Sequence, residues 1–216
     1  MHRTFEANLL ILLRFIKRYF HTISNLKFHQ IYFRLFFNLI KPSIKLKTHP
    51  PISLTDETWE HPFDKKNILS NTSFTFLNKT FLFDEIGWDS KKPSKLWLYN
   101  LHYFDYVIDN TDKGIDYITW INDWILHNPI GSIGWDSYPT SLRIVNWIKF
   151  SLSKKNLSNN IFDNLFTQSL WLSKRIERHI EGNHLFANGK ALIFAGVFFN
   201  SSKKNKFKTL GLKMFN

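Results

Sequence analysis

The segment 181–188 has the sequence Glu-Gly-Asn-His-Leu-Phe-Ala-Asn and separates two apolar helical patterns. Gly182 can end the first helix in a left-handed conformation, and Asn183 can then begin the second. Asn183 and His184 would project from a helix junction, where a rigid scaffold can direct them at a ligand. On residue types alone, the simplest interpretation is a helix cap beside a hydrogen-bonded core histidine. The surrounding sequence has to show whether these residues have a functional role instead.

Helical patterns dominate the chain from Leu96 onward. Apolar residues recur at helical spacing, and we predict helices at about 100–110, 115–127, 139–153, 159–181, 184–200 and 203–215. Short turns such as 128–131 connect them, which is typical of stacked antiparallel helical hairpins. Such hairpins form either an α-solenoid or a closed α/α toroid. We find no strict sequence repeat, and this favours the toroid.

The N-terminal part has a different pattern. Residues 5–20 and 28–40 predict two amphipathic helices with Arg and Lys opposite an apolar face, and residues 42–51 predict a Pro-rich linker. Alternation over 73–83 predicts a small β-hairpin around Asn78-Lys79. We therefore expect a mainly α protein in three parts: basic N-terminal helices and linker (1–50), a linker region with the hairpin (51–95), and an incomplete α/α toroid (96–216).

Charge and composition restrict the partners. The net charge is +12, and the first 50 residues contain nine Lys/Arg and one acid, which suits acidic polysaccharide, nucleic acid or an anionic membrane. Nucleic acid is disfavoured, because no recognised motif is present and the charge lies apart from the aromatic residues. The absence of cysteine excludes disulfides and a Cys nucleophile. The apolar run 9–13 is too short to span a bilayer and lacks a cleavage site, so we expect a cytoplasmic protein, with peripheral membrane contact through residues 1–40 as an alternative.

Polar and aromatic residues interrupt the helical pattern in three segments: 97–105, 128–147 and the segment 181–188. Six of the eight Trp residues lie between positions 88 and 147. Aromatic rings stack on the apolar faces of sugars, and Arg and Asn bind carboxylate or hydroxyl groups. Arg143 and Asn146 share a helix face, and a ligand-facing pair and a structural hydrogen bond fit this spacing equally. His102 alone favours a structural role.

Three of these stretches resemble the N-terminal region of heparinase II/III-family proteins, relatives of the alginate and chondroitin AC lyases. They are YNLHYFD at 99–105, GWDSYPTSLRIVNWI at 134–148 and EGNHLFANGKALIFAG at 181–196, and a QIYFR pattern at 30–34 agrees with them. The resemblance implies an α/α toroid followed by a β-sandwich. It also implies a carbon–oxygen lyase that cleaves uronate-containing polysaccharides by β-elimination without a cofactor or a catalytic metal.

The resemblance also implies roles for individual residues. Asn183 would hold the uronate carboxylate and His184 would be the adjoining catalytic histidine, because neutral donors stabilise the charge that grows there as the C5 proton leaves. A base takes that proton, and an acid protonates the departing glycosidic oxygen. Asn188 is expected to be structural. The candidates for binding the acidic sugar are Arg143, Tyr138, Trp135, Tyr103 and His102.

The chain departs from the family pattern in one respect. Related lyases have a catalytic Tyr and a further His after the Asn-His segment, whereas this sequence has no Tyr after Tyr138 and no His after His184. We therefore expect a truncated, lyase-like domain with half of a site. It would expose apolar helix faces and depend on a second chain or on the missing β-sandwich. The alternatives are a non-catalytic polysaccharide-binding module and a helical interaction module.

Overall fold

The computed structural model describes residues 14, 17–18, 21, 26–40, 42–53, 58–59, 68–70, 72–108, 116–153, 157–180, 182–200 and 204–215. Within them the protein is mainly helical, with a small antiparallel sheet, as the sequence predicts. The chain forms two compact units. One comprises residues 1–41 and 177–181, and the other comprises residues 42–176 and 182–216. The predicted boundaries near residues 50 and 95 do not coincide with this division.

The smaller unit contains helix α1, Phe28–Leu39. The backbone N–H of Lys27 donates to the side-chain oxygen of Gln30 at 3.0 Å and fixes the start of the helix. Phe33 lies under the guanidinium group of Arg178 and Phe37 lies beside His179, so one face of α1 packs on residues 178–179. The predicted helix at 28–40 is confirmed. Most of the predicted helix at 5–20 lies outside the described residues, although Arg14, Lys17 and Arg18 are helical.

The β-sheet of the larger unit has three strands in the order β1 (Ile68–Ser70), β2 (Ser73–Phe76) and β3 (Lys79–Leu82). The predicted hairpin is present, but its turn is formed by Leu77 and Asn78, one residue earlier than expected. Both residues have positive φ, at 54° and 58°. Two left-handed residues in succession are typical of the type I′ turn, whose twist matches that of the flanking strands.

In the described part of the chain, seven helices follow the sheet strands. They are α2 (Phe83–Ile86), α3 (Lys95–Tyr103), α4 (Tyr117–His127), α5 (Ser137–Ser153), α6 (Asn159–Lys174), α7 (Gly182–Phe198) and α8 (Lys204–Leu212), with 3₁₀ turns at Asp105–Ile108 and Ile133–Trp135. α5 is the central helix, and it contacts α3, α6 and α7. α4 contacts α6, and α7 contacts α8. Alternate helices along the chain therefore contact one another.

Two helices differ clearly from their predicted bounds, α3 at both ends and α6 at its C-terminal end. α3 begins at Lys95, because the Ser94 hydroxyl caps it by accepting from the backbone N–H of Trp97 at 3.2 Å. It ends at Tyr103 because Phe104 is left-handed, with φ 56°. α6 ends at Lys174 rather than near 181, and the carbonyl of Arg175 accepts a hydrogen bond from Ser137. Gly182 has the predicted left-handed conformation, with φ 56°, but it does not end α6 as expected, because it is the first residue of the next helix, Gly182–Phe198.

The predicted linker at 42–51 is an extended segment bound along the larger unit. The backbone N–H of Lys47 donates to Thr167, and that of His49 donates to Asp163 at 2.7 Å. Further along, Ile52 forms a β-bridge with Phe199. This segment therefore belongs to the fold of the helices that follow it.

Helices α7 and α8 approach closely at two glycines. A Cβ atom on Gly211 would lie 2.6 Å from both the carbonyl oxygen of Gly189 and Cγ1 of Ile193. A Cβ on Gly189 would lie 3.0 Å from the Gly211 carbonyl oxygen. Only glycine fits this contact without displacing backbone. Among the residues described, no helix has both the length and the apolar character that crossing a bilayer requires.

Candidate functional site

Three ring side chains from three helices meet at one end of the helical array. Tyr103 comes from the last turn of α3, Tyr138 from the first turn of α5 and His184 from the first turn of α7. The His184 ring contacts the Tyr138 ring with 4.3 Å between ring centroids and a tilt of 31° between their planes, and Tyr103 meets Tyr138 edge to face at 5.9 Å. We call these three residues the Tyr-Tyr-His cluster. The structure thus brings together three of the residues singled out from the sequence.

Asn183 precedes the cluster's histidine on α7. Its side chain is exposed, while His184 and Tyr138 are half-buried. Asn183 and His184 both lie in the first turn of α7, where backbone N–H groups are not used by the helix and the helix dipole is positive. Tyr138 lies in the corresponding turn of α5. Two helix N-termini therefore contribute to one surface, and this arrangement favours an anionic group.

Tyr103 is the most enclosed member of the Tyr-Tyr-His cluster. Burial raises the pKa of its phenol well above the usual value, and Tyr138 and Asp105 act in the same direction. Tyr103 therefore remains protonated throughout the physiological range and can serve only as a neutral hydrogen-bond donor or acceptor. Its backbone carbonyl accepts a hydrogen bond from Asn146 at 2.9 Å, which fixes the end of α3 against α5.

Arg143 does not lie at this surface. It is fully buried, and its guanidinium group donates to Gln168 at 2.9 Å, to the His102 carbonyl at 3.1 Å and to Thr140 at 3.3 Å. The same group lies 3.9 Å from the ring centre of Trp124. Burial lowers the pKa of Arg143 well below its usual value. Its position contradicts the predicted sugar contact, because its donors are used to hold the end of α3.

His102 is also inside the core, which contradicts its prediction as a sugar-binding residue. Its Nδ1 accepts a hydrogen bond from the indole N–H of Trp124 at 3.0 Å. Burial, together with the nearby charge of Arg143, lowers the pKa of His102 to about 3, and a backbone interaction at Trp88 opposes this only in part. The backbone of Gly134 packs against this ring, since a Cβ there would lie 2.9 Å from His102 Nδ1. His102 is therefore a neutral structural histidine.

Trp135 and Asn188 have structural positions as well. The Trp135 indole is 2% exposed and donates to the carbonyl of Asn128 at 2.9 Å, so it offers no platform for a sugar. Asn188 is buried and donates to Ser141 at 2.8 Å, as expected for a residue of the α5–α7 interface. The second long motif, 134–148, thus contributes Tyr138 to the surface, and it contributes Trp135 and Arg143 to the core.

One cluster of polar side chains, Lys95, Tyr99 and Asp136, was not singled out from the sequence. The exposed ammonium group of Lys95 forms an ion pair with Asp136 at 3.0 Å, and the Tyr99 hydroxyl donates to the same carboxylate at 2.5 Å. Asp136 directly precedes α5. The four-residue spacing of Lys95 and Tyr99 on one helix face was the available signal. It was too common a pattern to identify the distant Asp136 as the shared partner.

Comparison with known proteins leaves the resemblance as a prediction. No family model matches the chain, and neither a curated protein nor a solved structure matches it significantly. Within the described part of the chain, no group of three or more His, Asp and Glu side chains is arranged to hold a metal ion. The case for function therefore rests on the motifs and on the geometry around His184.

Proposed function

We propose that the helical domain binds uronate-containing acidic polysaccharide at the Tyr-Tyr-His cluster and acts on it as a polysaccharide lyase-like domain. The observation that carries this proposal is the contact between the His184 and Tyr138 rings, with the exposed Asn183 next to His184 on the same helix turn. An amide, an imidazole and a phenol are thereby offered together at two helix N-termini.

The chemistry of the cluster suits a sugar carboxylate. The Asn183 amide can donate to a carboxylate oxygen, and the N-terminal ends of α5 and α7 favour the negative charge. The aromatic rings offer apolar faces for a pyranose ring. Tyr103, whose pKa is raised by burial, stays neutral and adds no charge that would repel an acidic polymer.

β-Elimination requires a proton-transferring group beside the carboxylate. A base removes the C5 proton, the electron pair forms the C4–C5 double bond, and the C4–oxygen bond breaks as the departing oxygen takes a proton. Among the described residues, Tyr138 is the tyrosine whose ring contacts His184. We assign both proton transfers to the Tyr138 oxygen, which takes the C5 proton as the phenolate and passes a proton to the departing oxygen as the phenol. We assign stabilisation of the charged intermediate to Asn183 and His184.

For the fold of this domain, we propose an α/α toroid. It is supported by the contacts of α3 with α5 and of α5 with α7, together with the contact of α4 with α6, because such alternation is typical of two-layered arrays of helical hairpins. Closed toroids and open solenoids share this feature. Closure into a ring therefore rests on the resemblance of the three motifs.

The test is ultraviolet absorbance of the protein incubated with a panel of uronate polymers, combined with calorimetric titration of the same polymers. Elimination creates a conjugated unsaturated uronate that absorbs where the substrate does not. We expect Tyr138→Phe to reduce the rate about 100-fold or more while binding is largely kept. We expect Asn183→Ala to weaken binding about tenfold or more, because it removes a hydrogen bond to a charged group.

Matched controls separate the site from general damage. Asn160→Ala replaces another exposed asparagine in the first turn of a helix, and Tyr117→Phe removes a hydroxyl from a half-buried tyrosine on α4. Both should behave as the unmodified protein. A flat absorbance trace with binding that depends on Asn183 would make this a non-catalytic polysaccharide-binding module. No binding to any uronate polymer would overturn the proposal.

A further inference from the structure

Helix α1 has a second apolar face that no described residue covers. Phe28, Tyr32, Leu35, Phe36 and Leu39 lie on successive turns of one side of the helix and are 85%, 54%, 58%, 42% and 79% exposed. We call these five residues the α1 stripe. Large exposed apolar surfaces of this kind mark interaction sites, because water contact with so many rings and branched chains is unfavourable.

The α1 stripe is distinct from the face by which the helix is held. Phe33 and Phe37 are half-buried against Arg178 and His179 within the smaller unit. The helix therefore uses one side for its own fold and presents a different side outward. Among the described residues of this unit, packing does not use the stripe, so its aromatic and aliphatic residues call for another explanation.

The charges around the stripe point to its occupant. Lys27 and Arg34 are exposed and lie outside the stripe on the polar side of the helix, and Arg14, Lys17 and Arg18 are also exposed. The first 50 residues contain nine Lys/Arg against a single acid. An apolar stripe rich in Phe and Leu beside a cationic polar face is typical of a helix that lies in the surface of an anionic membrane. A protein partner would need no such excess of one charge.

We propose that α1 docks on an anionic lipid surface through the α1 stripe, with Lys27 and Arg34 placed at the level of the headgroups. The helix is twelve residues long, so it lies along the surface and does not cross it. This docking is independent of the polysaccharide site, because every residue that it uses belongs to the smaller unit.

The experiment is co-sedimentation of the full chain with vesicles of phosphatidylcholine alone and of phosphatidylcholine mixed with phosphatidylglycerol. We expect binding to the anionic vesicles that weakens with added salt and is much lower for neutral ones. The triple variant Phe28→Ser, Leu35→Ser, Leu39→Ser should lower the partition coefficient at least about tenfold, since each side chain loses its transfer from water.

A matched triple variant controls for general loss of surface hydrophobicity. Leu96→Ser, Leu126→Ser and Leu212→Ser replace three leucines of the larger unit that are 54%, 76% and 55% exposed. It should bind anionic vesicles as the unmodified chain does. Equal loss in both triple variants, or no vesicle binding at all, would overturn the proposal. So would a concentration-dependent dimer in analytical ultracentrifugation that the α1 variant alone abolishes, because the stripe would then be a protein interface.

Discussion

Arg143 is a buried cation whose hydrogen-bond partners are all neutral: an amide, a backbone carbonyl and a hydroxyl. The ring of Trp124 lies against the guanidinium group and supplies the electrostatic attraction that a carboxylate would otherwise give. By donating to the carbonyl of His102, Arg143 also completes the hydrogen bonding at the end of α3. One residue thus links the motif at 99–105 to the motif at 134–148.

Because His102 is neutral in the folded protein, we expect the free energy of unfolding to decrease in acid. The pKa of its imidazole is about 3 in the folded protein and about 6.5 when unfolded, so only the unfolded chain takes up the proton between these values. The free energy of unfolding should be unaffected by this group above pH 6.5 and should fall as the pH drops from 6.5 toward 3. The slope approaches about 1.4 kcal/mol per pH unit.

Urea unfolding at a series of pH values from 7.5 to about 4.5 measures this slope, whose size follows from the linkage relation. His102→Gln keeps an acceptor for the Trp124 indole but cannot take up a proton, so its curve should be flatter even though the variant is less stable overall. Leu126→Gln, at an exposed side chain of α4 that does not titrate, is the control and should keep the original slope. Parallel curves for the unmodified protein and His102→Gln would contradict the assignment.

At the scale of single residues, the sequence indicated which residues carry polar or aromatic groups of interest, but it did not indicate where those side chains lie in the fold. The Asn183–His184 pair at a helix start was predictable, because Gly182 and the flanking apolar patterns are local signals. The three-residue spacing of Arg143 and Asn146 predicted a shared face, but not that both would bind the end of α3, about 40 positions earlier. The meeting of Tyr103 and Tyr138 with His184 depends on how α3, α5 and α7 pack, which no local pattern specifies.

At the scale of elements, the hairpin of β2 and β3 carries an unfavourable residue in its turn. Leu77 has a left-handed backbone conformation, with a φ of 54°. Its side chain is 51% exposed, so burial of the side chain offsets little of the cost of this conformation. For a residue with a Cβ this conformation is unfavourable by about 1–2 kcal/mol relative to the right-handed one. Asn adopts it more readily than Leu.

Leu77→Asn should therefore stabilise the protein, by about 0.5–1 kcal/mol. Thermal or urea unfolding gives the change in free energy. Leu82→Asn is the control, because Leu82 is 47% exposed and lies in strand β3 rather than in the turn. It should give no gain. A loss of stability in Leu77→Asn would mean that contacts of the Leu77 side chain outweigh the strain of its backbone.

Element boundaries show where local signals stop being sufficient. Serine is a residue type that commonly begins helices, so Ser94 is a helix-start signal in the sequence. The apolar pattern alone nevertheless predicted a start several residues later. The end of α6 could not be predicted from the sequence, because the helical pattern continues to residue 181. The carbonyl of Arg175 bonds instead to Ser137 on another helix. Tertiary contacts of this kind override propensity.

At the scale of the whole molecule, the Gly189–Gly211 contact sets the distance between α7 and α8. Gly211→Ala would place a methyl group 2.6 Å from a backbone oxygen and 2.6 Å from Ile193, so the helices must separate. We expect a loss of about 1–3 kcal/mol or more in the free energy of unfolding. Hydrogen exchange should show earlier opening of residues 204–212 than of α5.

Thr209→Ala is the control for this change, since Thr209 is an exposed residue of the same helix. It should leave exchange in α8 nearly unchanged. If Gly211→Ala were as stable as the unmodified protein, the two helices would not be as close in solution as they are here. The mainly helical class was predictable from periodicity, whereas this contact was not, because nothing in a sequence indicates which distant glycines face each other.

The core contains a continuous series of indole rings, and this gives the protein an internal optical reporter. Trp171 meets Trp135 at 6.0 Å, Trp135 meets Trp124 at 5.9 Å, and Trp124 meets Trp147 at 5.5 Å between ring centroids. Chromophores held this close in a fixed, asymmetric arrangement couple their electronic transitions, so the folded chain should have an intense near-ultraviolet circular dichroism. Loosening at any one link weakens that signal while the helices persist, as in states that keep secondary structure but lose packing. Spectroscopy can therefore detect disorder in the centre of this fold before any helix unwinds.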